Sequence, residues 1–223
     1  MIAERANEPS RVIPYVTYTL LGLNVFIYLW DRGGGLFGPS VSFADLAMRP
    51  SEVVRAVKGN GYPPALGTLF TSLFLHGNFL HLLSNMIFLG TFGGEVEEAF
   101  GSFKFMLLYL FWGVFACLAH VLVMPHSSTP LLGASGAIGG ILGCYFLLYP
   151  ANVITVAILV VTFDVAAWIL LGLWFLYQIL VPQDGVANWA HVGGFLAGML
   201  SVLILGGKQR ILANLNAGEQ RVA

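Results

Sequence analysis

Gly133-Ala134-Ser135-Gly136 and Ala190-His191-Val192-Gly193-Gly194 each set a side chain able to do chemistry among glycines, at the head of a long apolar run. A serine hydroxyl becomes a useful nucleophile only with a base within hydrogen-bond reach. An imidazole is the commonest such base. The first amides of a helix have no carbonyl partners. Donors of that kind can hold the negative charge that builds on a carbonyl oxygen under attack. The plain alternatives are close helix packing by Gly133, Ser135, Gly139, Gly140 and Gly143, and a buried His191 bonded to a carbonyl. On these two segments alone both readings stand.

Other polar residues sort by spacing. His81 and Asn85 are four apart and share a helix face; both can donate, as an oxyanion site requires, or serve as interhelical glue. His76, five residues before His81, is expected to point elsewhere, at the interface. His120 and His126 fall near the outer end of an apolar run with no evident partner. Glu95, Glu97 and Glu98, beside Lys104, read as a solvated turn in which one carboxylate could brace neighbouring backbone. Asp164 is the tempting third member of a triad, but it lies at the opposite end of the topology from Ser135, so a Ser-His dyad is expected.

These residues must be positioned by membrane helices. Of 223 residues, 57% are hydrophobic and 9% charged, and the mean hydropathy is +0.81; soluble domains carry about 25% charged residues. The fold class expected is an all-α polytopic membrane protein. A net charge of −1 with no basic cluster excludes a nucleic-acid partner. Cys117 and Cys144 lie in apolar runs and read as small hydrophobes. A span takes about 20 mostly apolar residues, which places six, near 13–30, 70–92, 103–124, 131–149, 163–182 and 187–206. The domain organisation expected is a short tail at 1–12, one six-span domain at 13–206 and a C-terminal tail at 207–223. No removable signal peptide is read at the N-terminus. The connector 31–66 is long enough to be functional or partly embedded, with a short helix around 51–58. The β-branched stretch 153–161 is expected at the interface.

Alternation of span direction brings the starts of the second, fourth and sixth spans to one face, and with them His81, Ser135 and His191. Six basic residues (Arg5, Arg11, Lys104, Lys208, Arg210, Arg221) fall on the side of the termini and four (Arg32, Arg49, Arg55, Lys58) opposite. That balance favours cytoplasmic termini in a cell membrane, with the reactive groups opening outward.

At this point the chain resembles the rhomboid intramembrane serine proteases in their basic six-span form, over about residues 66–206. The resemblance rests on His76-Gly77-Asn78-Phe79-Leu80-His81-Leu82-Leu83-Ser84-Asn85, Gly94-Glu95-Val96-Glu97-Glu98-Ala99-Phe100-Gly101 and the two glycine-rich segments above, in order. It implies Ser135 as nucleophile and His191 as general base. The oxyanion and substrate-binding group would be His81, Asn85, Gly133 and the Ser135 N–H. Structural roles are implied for Glu97, Gly194 and Gly198. It also implies a compact bundle with an embedded first loop, and a gate formed by the fifth span and the cap loop 182–187. Two features depart from many relatives: Gly139 stands where an aromatic residue would stack on the histidine, and the Trp-Arg pair of the first connector is absent.

The activity so implied is hydrolysis of peptide bonds in or next to transmembrane helices of other proteins, within the lipid bilayer. A catalytically silent membrane-helix binding protein is the alternative, and retention of both Ser135 and His191 weighs against it. A transporter would place charges or broken helices near mid-membrane, where only Asp164 offers one. Neither a His-Glu-x-x-His motif nor a pair of intramembrane aspartates is present, and no metal or organic cofactor is implied.

Overall fold

A computed structural model of the chain describes residues 13–37, 44–61, 63–158, 161–183 and 185–219. The expected tail at 1–12, residues 38–43 and 62 of the first connector, 184 of the cap loop and 220–223 lie outside the described residues. The helices are α1 (Tyr15–Asp31), α2 (Pro50–Val57), α3 (Thr68–Thr71), α4 (Phe79–Phe100), α5 (Ser102–Val123), α6 (Ser135–Leu148), α7 (Ala167–Leu180), α8 (Asn188–Ile204) and α9 (Gly207–Glu219). Between α6 and α7 runs an antiparallel hairpin, β1 (Val153–Ile158) and β2 (Val161–Ala166).

Among the described residues, Ser102–Val123 alone is a helix long and apolar enough to cross a membrane by itself. Pro63–Phe74 with Phe79–Phe100, and Asn188–Ile204 with Gly207–Ala213, reach that standard as pairs bent by 75° and 70°; α6 and α7 are shorter apolar helices. The first bend lies at Leu75, which is extended (φ −93°, ψ 147°), and at Asn78, whose side chain caps α4 by accepting from the His81 N–H at 2.8 Å. The second apolar segment therefore begins its long helix at Phe79 instead of near 70. Likewise α6 begins at Ser135 instead of 131, and α7 at Ala167 instead of 163.

Helix α6 is the centre of the molecule, buried without interruption from Gly136 to Tyr145. Its glycines explain why. A methyl on Gly194 or Gly198 of α8 would overlap the carbonyl oxygen of Gly136 or Gly140, and one on Gly143 would overlap that of Phe195. The two backbones thus touch along three turns, the small-residue packing expected between helices in lipid. On the other side, Trp112 of α5 lies across Gly140 and its indole N–H donates to Ser201 Oγ of α8 at 2.9 Å. That bond ties α5 to α8 around α6.

Glu97 does not sit in a solvated turn. Glu95, Glu97 and Glu98 all belong to α4, and Glu97 is 2% exposed. Its carboxylate accepts from the Val16 N–H (3.0 Å), the Thr17 N–H (2.7 Å), Thr17 Oγ1 (2.8 Å) and Ser102 Oγ (2.7 Å). It satisfies open amides at the start of α1 and holds the α4–α5 turn, where Gly101 adopts φ 78°. Glu95 accepts from Tyr145 Oη and Asn152 Nδ2, both at 3.0 Å, and so joins α4 to the far end of α6.

Within the stretch 153–161, residues Val153–Ile158 form the first strand of the hairpin. Val153 pairs with Ala166 and Thr155 with Asp164, the Thr155 hydroxyl donating to Asp164 Oδ1 at 2.8 Å. Asp164 is therefore a hairpin residue and not the start of the fifth apolar helix. In the first connector, α2 spans nearly the expected residues. Met48 and Val53 bury against Cys117 and Val121, and Met48 and Leu131 exchange backbone hydrogen bonds at 3.0 and 2.7 Å. At the other end, α9 turns off α8 through Gly206 and Gly207 (φ 105° and 78°) and buries Ile211 in the core.

Candidate active site

Ser135 is the first residue of α6, and the residue before its N-cap, Gly133, takes φ 118°. The helical ladder closes with the Ile138 N–H on the Ala134 carbonyl at 2.9 Å. The Ser135 N–H therefore belongs to the open first turn. His191 sits in the first turn of α8, and its Nε2 lies 2.9 Å from Ser135 Oγ. Both residues are half-buried. The backbone contact of Gly194 with Gly136 lies one turn below, so the bond depends on the glycines of both helices.

The question left by Gly139 has a structural answer. A Cβ there would already stand 3.0 Å from the His191 carbonyl oxygen and 3.3 Å from the Phe195 nitrogen, so no aromatic fits on the α6 side. Support comes instead from α7. The Trp174 ring lies beside the imidazole, centroids 5.8 Å apart and tilted 33°, and Gln178 Oε1 is 2.8 Å from His191 Nδ1. Trp174 and Gln178 are four apart on one face. Phe175, on the same side, stacks on Phe195 at 4.5 Å. Sequence reasoning missed Gln178, yet a signal existed: it is an amide inside an otherwise apolar helix, a functional hint by default at membrane depth.

The expected oxyanion group converges beside Gly133. A Cβ on that glycine would lie 2.6 Å from His81 Nε2 and 3.5 Å from Asn85 Nδ2. Asn85 is 5% exposed and its Nδ2 has no hydrogen-bond partner among the described residues. A buried donor without an acceptor is costly, and one close to Gly133, two residues before Ser135, is suited to a charge that appears only during reaction. Gly133 itself cannot offer its amide, because that N–H donates to the Ser72 carbonyl at 2.9 Å. Its contribution is the room left for His81 and a backbone turn that a side chain would strain.

His76 is a second correction. It is 3% exposed, and its ring meets that of His81 edge to face at 5.2 Å. Helical spacing misleads here because residues 75–78 are not helical. Its carbonyl and that of Gly77 accept from Arg32 Nη2 at 3.0 and 2.8 Å, while the guanidinium lies 4.0 Å over the Tyr28 ring and pairs with Asp31 at 3.0 Å. Arg32, expected in the first connector, thus braces the turn leading to His81. Among the described residues there is no group of three metal-ligating side chains.

A rhomboid-domain family model matches residues 63–208. RHOMBOID-like protein 4 of Arabidopsis thaliana is 34% identical over 82% of this chain and 44% of its own length. Rhomboid protease GluP of Bacillus subtilis is 32% identical over 86% of this chain and 35% of its own length. The mitochondrial Rhomboid protein 1 of Saccharomyces cerevisiae is 33% identical over 84% of this chain and 63% of its own length. The chain spans less than two thirds of each of these relatives. The match takes in the segments carrying His81, Asn85, Ser135 and His191, and the chain belongs to the rhomboid family.

Proposed function

We propose that this protein is an intramembrane serine endopeptidase that cuts peptide bonds in or beside transmembrane helices of other membrane proteins. The observation that carries the reading is the 2.9 Å contact of His191 Nε2 with Ser135 Oγ at the open first turn of α6. In this reading α1 and α4 to α8 are the six spans of a multi-pass bundle, the first connector is partly embedded, and the domain runs over 13–206. The termini face the cytoplasm of a cell membrane and the site opens outward. The length of α6 supports a site below the surface: 14 residues rise about 21 Å, against a hydrocarbon core of about 30 Å.

The Ser135 hydroxyl attacks the scissile carbonyl carbon as its proton passes to His191 Nε2. The tetrahedral oxyanion accepts hydrogen bonds from the Ser135 N–H, Asn85 Nδ2 and His81 Nε2. Collapse breaks the C–N bond, and the leaving amine takes the proton from His191. Water then attacks the acyl-Ser135 ester, His191 accepting its proton and returning it to Ser135 Oγ as the carboxylic acid departs. An unwound, extended stretch of substrate presents its carbonyl more readily than an intact helix, whose carbonyls are bonded.

Cleavage of a reporter transmembrane substrate in liposomes tests the reading, with wild type compared with Ser135→Ala and His191→Ala at matched folding. Wild type cuts and both variants are silent. Cutting by both variants at the wild-type rate would remove the dyad.

A further inference from the structure

We propose that Gln178 is the positioning residue for His191, holding the imidazole as its Nδ1–H tautomer from α7, a helix that carries neither member of the dyad; this rests on the Ser135–His191 reading above. Asn188 Nδ2 lies 3.1 Å from the Gln178 carbonyl oxygen and 3.2 Å from that of Val181. Backbone carbonyls only accept, so the nitrogen of Asn188, and not its oxygen, faces them. The same nitrogen is 3.3 Å from the side-chain tip of Gln178. The two N–H groups of Asn188 already serve the two carbonyls, so Oε1 at this longer distance shares one of them, and a Gln178 NH2 turned there would set donor against donor. That oxygen is 2.8 Å from His191 Nδ1, so Nδ1 carries the proton. A neutral imidazole has one N–H, and Nε2 is left with its lone pair toward Ser135 Oγ at 2.9 Å, the state a general base needs.

No other described neighbour makes this choice. The Trp174 ring limits the tilt of the imidazole but cannot distinguish its nitrogens, and the α6 side at Gly139 is closed by backbone. Gln178 is 6% exposed. A carboxylate so placed would need a paired cation to offset burial, whereas an amide keeps the acceptor without the charge.

The test uses the full chain in bilayers, with 15N-labelled histidine and the His191→Ala variant to assign the His191 signal. Wild type shows Nδ1 protonated and Nε2 bare. Gln178→Met keeps the volume but loses the oxygen; the Nε2–H tautomer rises, and kcat on the reporter falls about 10- to 100-fold with KM unchanged. Gln178→Glu, read at a pH where its carboxyl is ionised and can only accept, keeps the Nδ1–H signal and most of kcat. Wild-type tautomer in Gln178→Met, whether or not kcat falls, overturns the proposal, since Gln178 would then serve packing alone. Should Gln178→Met fail to fold, Gln178→Glu decides, and an Nε2–H tautomer in it is equally fatal. Failure of the dyad reading looks different: Ser135→Ala and His191→Ala would still cleave.

Discussion

Gly194→Ala tests whether the backbone contact of α6 and α8 is what makes the dyad. The added methyl would overlap the carbonyl oxygen of Gly136, whereas real methyl carbons essentially never come nearer than 3.0 Å to such an atom. Helix α6 cannot retreat, because Trp112 and Ala116 of α5 already press on Gly140 and Gly136. So α8 must move outward by about 1 Å, a displacement that can cost roughly a hundredfold in rate. Gly194 is three residues beyond His191 and Gly136 adjoins Ser135, so the gap opens at the dyad. A contact of 2.9 Å becomes about 3.9 Å, outside hydrogen-bond range. The assay is kcat on a transmembrane reporter in liposomes, with Tm measured on the same preparation. Gly90→Ala, where a Cβ meets nothing within 4 Å, serves as the control and keeps the wild-type rate. Wild-type cleavage by Gly194→Ala, with Tm unchanged, would refute the claim that this contact sets the distance.

Three further outcomes are expected. Glu97→Gln leaves at least one backbone donor of α1 unpaired at a buried site and lowers stability by about 1–3 kcal/mol, read as a fall in Tm, while the folded fraction cleaves normally. Asn85→Ala removes a donor with no protein acceptor to lose, so Tm is retained while kcat falls about 10²- to 10³-fold; equal loss of both would make Asn85 structural. Asp164→Ala removes a cross-strand bond of the exposed hairpin and leaves kcat unchanged, and a loss of a hundredfold or more would return it to candidacy as a triad member.

Much of the site was legible because its chemistry sits in short local patterns. Ser135 and His191 stand at helix starts among glycines, and counting alternate spans is enough to bring them to one end. The residues that spacing and charge alone do not place are those whose role depends on what another helix does. Charge and flanking acids make Glu97 read as solvated, and a structural role for it comes only from the resemblance; the start of α1, some eighty residues earlier, explains its burial. Gln178 acts across a loop onto α8, and no spacing rule links it to His191. His76 fails for a local reason, since the helical period was extended through a non-helical turn. The hairpin had a visible cue in its β-branched residues, which set 153–161 apart as an interfacial stretch, but its second strand reads as the start of the fifth span.

Glu97 also bears on how the first helix is directed relative to the others. Its carboxylate receives the amides at the beginning of α1, although it stands near the end of α4. These two helices must therefore run in opposite directions, whatever the balance of basic residues on the two sides. An inverted α1, 17 residues long, would carry those amides about 25 Å away and strand a buried carboxylate, a cost of several kcal/mol. The end of α4 thus fixes the sense of α1 relative to it, across some eighty residues of chain.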